Sequence, residues 1–221
     1  MLVTLLWKVI SSSATDRIDL PSLSEFVLGS NAFNSITDYS VSSTCRSIFL
    51  FVDASVLEKH PAFSFYIQNV TVRSVGELKL NSQLRRLVVG NSCCNDPQLT
   101  RLDLTGCSCI QEVIIGNNCF ERVEEVKLVG LKELESVVIG LNSFTMKKES
   151  CGNDPNRRFY LKDCVKVREL KIDRFSFSDY SVCVIESTPS LQVIEMGGLN
   201  EDSCNFYSAS LELKGVIPCR L

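Results

Sequence analysis

With 221 residues, 45% of them apolar and 22% charged, the chain has room for one large domain or two small ones and the composition of an ordinary globular protein. Its 23 basic and 26 acidic residues give a formal charge of -3, which argues against a surface built to neutralise phosphates and so against a nucleic-acid partner. No stretch approaches the ~20 continuous apolar residues that a membrane-spanning helix needs, so no transmembrane segment is expected.

The chain opens on Met1–Ile10, apolar but interrupted by Lys8 and with no basic residue ahead of it. That pattern predicts a first strand or cap over residues 1–19 rather than a signal peptide. From there one apolar rhythm recurs. Leu23, Phe26, Leu28, Gly29, Asn31 and Phe33 can be laid over Leu84, Leu87, Val89, Gly90, Ser92 and Cys94. They fall equally on Ile110, Val113, Ile115, Gly116, Asn118 and Phe120, and on Leu134, Val137, Ile139, Gly140, Asn142 and Phe144. Weaker copies begin at Val167 and Leu191, and the gap between Leu23 and Leu84 leaves room for a divergent copy over Ser47–Asp53. From residue 84 onward the copies start 26, 24, 33 and 24 residues apart.

Within each copy the alternation around a residue such as Ile114 predicts a short strand whose neighbours Val113 and Ile115 share one face. A unit of this size cannot bury its apolar edge alone, so it must stack on a copy of itself, strand beside parallel strand, about 4.8 Å apart. A second rhythm follows in Leu102-Asp103-Leu104, Val126-Lys127-Leu128, Phe159-Tyr160-Leu161 and Leu211-Glu212-Leu213, which predicts half-buried strands with one wet face. Asn95-Asp96-Pro97 and Asn153-Asp154-Pro155 mark turns in connecting segments.

The copies resemble the leucine-rich repeat, L-x-x-L-x-L-x-x-N-x-L, whose five positions are filled best by Ile110, Val113, Ile115, Asn118 and Phe120. The wording Gly-x-Asn-Cys/Ser-Phe followed by Lys-Leu-x-Gly-Leu is similar to large repeat families of unicellular eukaryotes, held to be surface or recognition proteins. The resemblance implies a mainly β (β-rich α/β) fold, a curved solenoid of about seven repeats with a parallel sheet on its concave face. It implies one domain over 1–221, with repeats at 20–215 and a tail at 216–221. It also implies an asparagine ladder through Asn31, Asn118 and Asn142, broken at Ser92 and Phe175.

On that sheet the outward central column reads Val27, Phe51, Val88, Ile114, Val138, Lys171 and Glu195. A run of apolar residues on an exposed face marks a contact surface, or a face covered by a loop or another copy of the chain. A flanking column of Glu25, Arg86, Glu112, Ser136 and Glu169 supplies charges suited to a selective rim, or to an ordinary solvated face. The long unit after Leu134 carries Lys147, Lys148, Arg157 and Arg158, a basic loop expected to protrude.

Chemistry has no evident home. His60 is the one histidine and stands in no motif with a nucleophile or carboxylate. Cys107 and Cys109 are too close for a zinc knuckle, and the glycine column marks strand ends rather than a phosphate loop. No catalytic, metal or cofactor site is expected. The eleven cysteines form no familiar bridging pattern, which points to mostly free thiols and the cytoplasm, with the cell surface or secretion as the alternative. The sequence thus points to a scaffold holding another protein on its concave face; self-association of a structural or cell-surface recognition protein through uncapped ends is the alternative.

Overall fold

The computed structural model describes residues 25–28, 49–52, 69–198 and 202–215. The chain divides into two compact units, Met1–Asn69 and Val70–Leu221. In the first, β1 (Glu25–Leu28) and β2 (Phe49–Val52) pair in parallel, Val27 opposite Phe51. The divergent copy expected at Ser47–Asp53 therefore contains a strand, Phe49–Val52. The first 19 residues, Asn31, His60 and the tail from 216 lie outside the described residues.

The second unit carries β3 (Asn69–Val72), β4 (Arg86–Val89), β5 (Arg101–Asp103), β6 (Glu112–Ile115), β7 (Glu125–Val129) and β8 (Ser136–Ile139). They are followed by β9 (Asp154–Lys162), β10 (Glu169–Ile172), β11 (Tyr180–Glu186), β12 (Val193–Met196) and β13 (Ser210–Lys214). From β4 onward the chain alternates between two sheets. One is six-stranded in the order β12-β10-β8-β6-β4-β3, the other five-stranded in the order β13-β11-β9-β7-β5. The registered pairs in both run parallel. A three-residue 3-10 turn, Val75–Glu77, is the only helical element among the described residues, so the fold is mainly β.

Period-2 alternation explains the core. Leu87, Val113, Val137 and Leu170 stand in register and are buried, as are Val89, Ile115, Ile139 and Ile172 two residues on. The other sheet supplies Leu102, Val126, Phe159 and Cys183 to the same interior. β3 is a copy that the opening rhythm does not reveal. Its Val70 and Val72 are buried while Thr71 between them is exposed.

From β4 onward, the corner after each strand of the larger sheet is held by its neighbour. Non-glycine residues with positive φ recur in pairs, Ser92 and Cys94, Asn118 and Phe120, Asn142 and Phe144, Phe175 and Phe177, Cys204 and Phe206. Side chains disfavour this left-handed backbone, so something outside the residue must hold it. The second members other than Cys94 do so by stacking. Phe120, Phe144, Phe177 and Phe206 lie ring on ring with centroids 4.8 to 4.9 Å apart and planes within 8°.

Asn118 and Asn142 do not form the expected asparagine column; two side-chain amides that stand elsewhere bond from one copy to the next. Asn91 Oδ1 accepts the Asn117 N–H at 2.9 Å, and Asn117 Oδ1 accepts the Leu141 N–H at 3.0 Å. Asn142 instead accepts the Glu149 N–H within its own loop. Asn117 and Leu141 follow Gly116 and Gly140, whose lack of Cβ these bonds need. A methyl on Gly140 would lie 2.3 Å from Asn117 Oδ1. A second column, Cys119, Ser143 and Ser176, bonds across the same corners: Ser143 Oγ accepts the Cys119 N–H and donates to the Gly116 carbonyl, and Ser176 Oγ accepts the Ser143 N–H.

Candidate functional site

The outward face of the six-stranded sheet is built by the positions left over when the inner ones are buried. Val88, Ile114, Val138 and Lys171 are register partners, and Glu195 on β12 completes the column. Val88, Ile114, Val138 and Lys171 are half-buried and Glu195 is exposed. The apolar run within this sheet is therefore three residues long. Thr71 of β3 stands ahead of Val88, where the sequence suggested Phe51. Val27 and Phe51 pair with each other in the first unit.

The flanking column reads Arg86, Glu112, Ser136, Glu169 and Val193. Arg86 Nε is paired with the Glu112 carboxylate. Ser136 Oγ donates to Glu169 at 2.7 Å, and Lys171 Nζ lies 2.8 Å from the same carboxylate. The bonds from Lys171 and Ser136 hold the Glu169 carboxyl below its ordinary pKa, and the bond to Glu169 raises that of Lys171. The charges beside the stripe thus satisfy one another and fix its rim, while the three aliphatic side chains between them have no polar function.

The outward face of the other sheet is chemically different. Across β5, β7 and β9 its side chains run Arg101, Glu125, Arg158 and Asp103, Lys127, Tyr160. Arg101 pairs with Glu125 at 2.9 Å, Lys127 with Glu125 at 3.0 Å and Lys162 with Glu186 at 2.9 Å. An open, polar hollow of about 320 Å³ lies at the strand starts, lined by Thr100, Arg101, Glu124, Glu125, Asn156 and Arg158. Val184 is the buried exception on this face.

The basic insert departs from expectation. Its second half is the nine-residue strand β9 rather than a loop, and Arg157 is one of the most buried side chains, 1% exposed. The inner face of β9 takes Arg157, Phe159 and Leu161 in alternation, a period-2 signal that the sequence carries inside its run of charge. Arg157 donates to the Glu121 carbonyl at 2.8 Å and faces Asp179 at 3.4 Å. Its guanidinium sits 5.6 Å from the centre of the Tyr180 ring. Tyr180 is wholly buried, donates its hydroxyl to the Val123 carbonyl at 2.6 Å, and is pushed well above the ordinary phenol pKa by that burial. Lys147, Lys148 and Arg158 remain exposed.

Sequence spacing also gave no hint of the bridge between Cys151, in the insert, and Cys204, at the last corner. The other described cysteines are free, and all but Cys109 are buried. No helix among the described residues is long and apolar enough to cross a membrane. Compared with known proteins, the chain matches no family model, no curated protein and no solved structure.

Proposed function

We propose that the chain is a leucine-rich-repeat-type solenoid, and that the outward face of its six-stranded sheet holds another protein on the concave side. What supports this reading is the contrast between the two sheet faces. Val88, Ile114 and Val138 form an aliphatic stripe in register on one, while the other carries cross-strand ion pairs. In this reading the stripe provides the desolvated centre of the contact, and Arg86, Glu112, Glu169 and Lys171 provide a polar rim that selects by charge.

The test is the paired substitution Ile114→Glu and Val138→Glu in the full chain. Both side chains are half-buried on the outer face, so thermal stability should fall by no more than about 1 kcal/mol. Affinity capture from the native lysate should lose the partner that the unaltered chain retains. Unfolding of the variant, or unchanged capture, would sink the proposal.

A second reading, self-association, is favoured by one observation. Ile194, Leu211 and Leu213 occupy inner-face positions yet are 40%, 57% and 51% exposed, whereas their register partners Leu170, Cys183 and Ile185 are buried. Light scattering over a dilution series separates the two readings, because a mass that grows with concentration supports stacking of copies. The Cys151–Cys204 bridge supports the cell-surface or secreted setting over the cytoplasm.

A further inference from the structure

We propose that the Cys151–Cys204 bridge is a redox-operated latch that clamps the last two described strands, β12 and β13, onto the rest of the second unit, so that its reduction frees those two strands alone.

The two sides of the bridge are held unequally. On the Cys151 side, the Met146 N–H bonds to Asp179 Oδ2, the Gly152 N–H to the Ser178 carbonyl and the Asp154 N–H to the Asp179 carbonyl. That insert stays anchored whether or not the sulfurs are joined. On the Cys204 side, β12 and β13 are the outermost strands of their sheets, each paired along one edge. Every residue of β13 is exposed, and β12 is exposed up to Met196. Apart from strand pairing, the last corner and β13 are held by Asn205 Nδ2 on the Asp173 and Ser176 carbonyls, by two backbone bonds, by Ser210 Oγ on the Ser181 carbonyl at 3.4 Å and by the Phe206 ring against Phe159, Phe177 and Tyr180. With β9, β10 and β11 still folded between the two cysteines, the bridge ties the last corner covalently to the insert, so opening it restores conformational freedom to the less anchored partner.

The chemistry is accessible at this bridge. Cys151 is exposed, so a thiolate of a dithiol reductant can attack its sulfur and expel Cys204 as thiolate. The reductant's second thiol then displaces Cys151, leaving two protein thiols and one oxidised reductant, a two-electron exchange. Competing exchange within the protein is suppressed, since the Cys94, Cys107, Cys164 and Cys183 thiols are buried and their pKa values are pushed up to about 11 to 12 by that burial.

Cys183 reports on the latch. It lies on the inner face of β11, opposite Leu211 of β13, so departure of β13 uncovers it. Cys119 and Cys164 are buried among earlier strands and bond to carbonyls there. The full chain is alkylated with iodoacetamide, with and without prior reduction by a dithiol, and labelling is followed site by site; the C151S/C204S double variant is alkylated without reductant. The latch predicts that Cys183 labels roughly a hundredfold faster once the bridge is open, while Cys119 and Cys164 stay protected. Deuterium uptake by β13 should rise in step. Cys183 protected as well as Cys164 after both bridge cysteines have been alkylated would overturn the proposal, and so would simultaneous labelling of all three, which is global unfolding.

Discussion

At the scale of single residues, each corner depends on groups belonging to the next one. Gly116 is the clearest case: a methyl there would lie 2.5 Å from Asn91 Oδ1 and 2.9 Å from backbone atoms of Gly90 and Asn91. Side chains can swing away from such a contact, but backbone cannot. Gly116→Ala is expected to cost about 1–3 kcal/mol in urea denaturation, whereas Gly106→Ala, with nothing within 4 Å, should be near neutral. Arg157 makes the opposite point, that a buried charge is tolerated only as part of a set. Arg157→Met would leave Asp179 buried and unpaired, and is expected to destabilise by about 3–5 kcal/mol. Arg157→Lys should recover little, because a single ammonium cannot reach the Glu121 carbonyl, the Phe144 carbonyl and Asp179 together.

These residues also mark how far the sequence could be read. The inner columns were legible because period-2 alternation has one physical cause, burial on one face, and Val113, Val137 and Leu170 do stand in register. The repeat pattern puts its asparagine at Asn118 and Asn142, whereas the bonds are made by Asn91 and Asn117 beside the glycines. Only the spacing between chain layers, which no single copy reveals, distinguishes the two. The bridge was illegible for the same kind of reason, since it joins segments 53 residues apart.

At the scale of elements, the phenylalanine stack does for the corners what strand pairing does for the sheets. Phe144 lies between Phe120 and Phe177, at 4.9 and 4.8 Å. Phe144→Ala should cost about 3–5 kcal/mol and Phe144→Leu clearly less, measured as urea midpoints with an unchanged slope. The candidate surface was half legible at this scale. Val88, Ile114 and Val138 are register neighbours as the repeat pattern predicts, whereas β3 has no counterpart in that pattern, because Asn69–Val72 lacks the leucine, glycine and phenylalanine that advertise the other copies.

At the scale of the whole molecule, the buried thiols and Tyr180 tie stability to pH. In the unfolded chain a thiol titrates near 9.0; folded, Cys94 and Cys183 are pushed up to about 12 and Cys107 and Cys164 to about 11. Because the folded values are raised, their contribution is intact below pH 9 and is lost as pH climbs toward 11 to 12. At pH 10 each thiol should have withdrawn about 1 kcal/mol, and Tyr180 adds a further loss above about pH 10. Denaturant midpoints should therefore fall steeply between pH 9 and 11 and hardly at all between pH 7 and 8.5. A flat profile across pH 9 to 11 would mean that the thiols are not shielded as the fold implies.

The paired left-handed residues carry one more consequence, for how such a chain can lengthen. Ser92 and Cys94, Asn118 and Phe120, Asn142 and Phe144 share their φ within a few degrees, and backbone bonds join each of these corners to the adjoining one. The corners at Ser92 and Asn118 are therefore alike in how they meet the next one. Duplication of the whole unit that carries Asn118 and Phe120 would repeat these contacts, whereas gaining a single amino acid inside a corner would mismatch both sides. Growth by complete copies is the change this architecture tolerates best, and extra sequence is admitted where residues 145–153 already lie, between a corner and the strand that follows it.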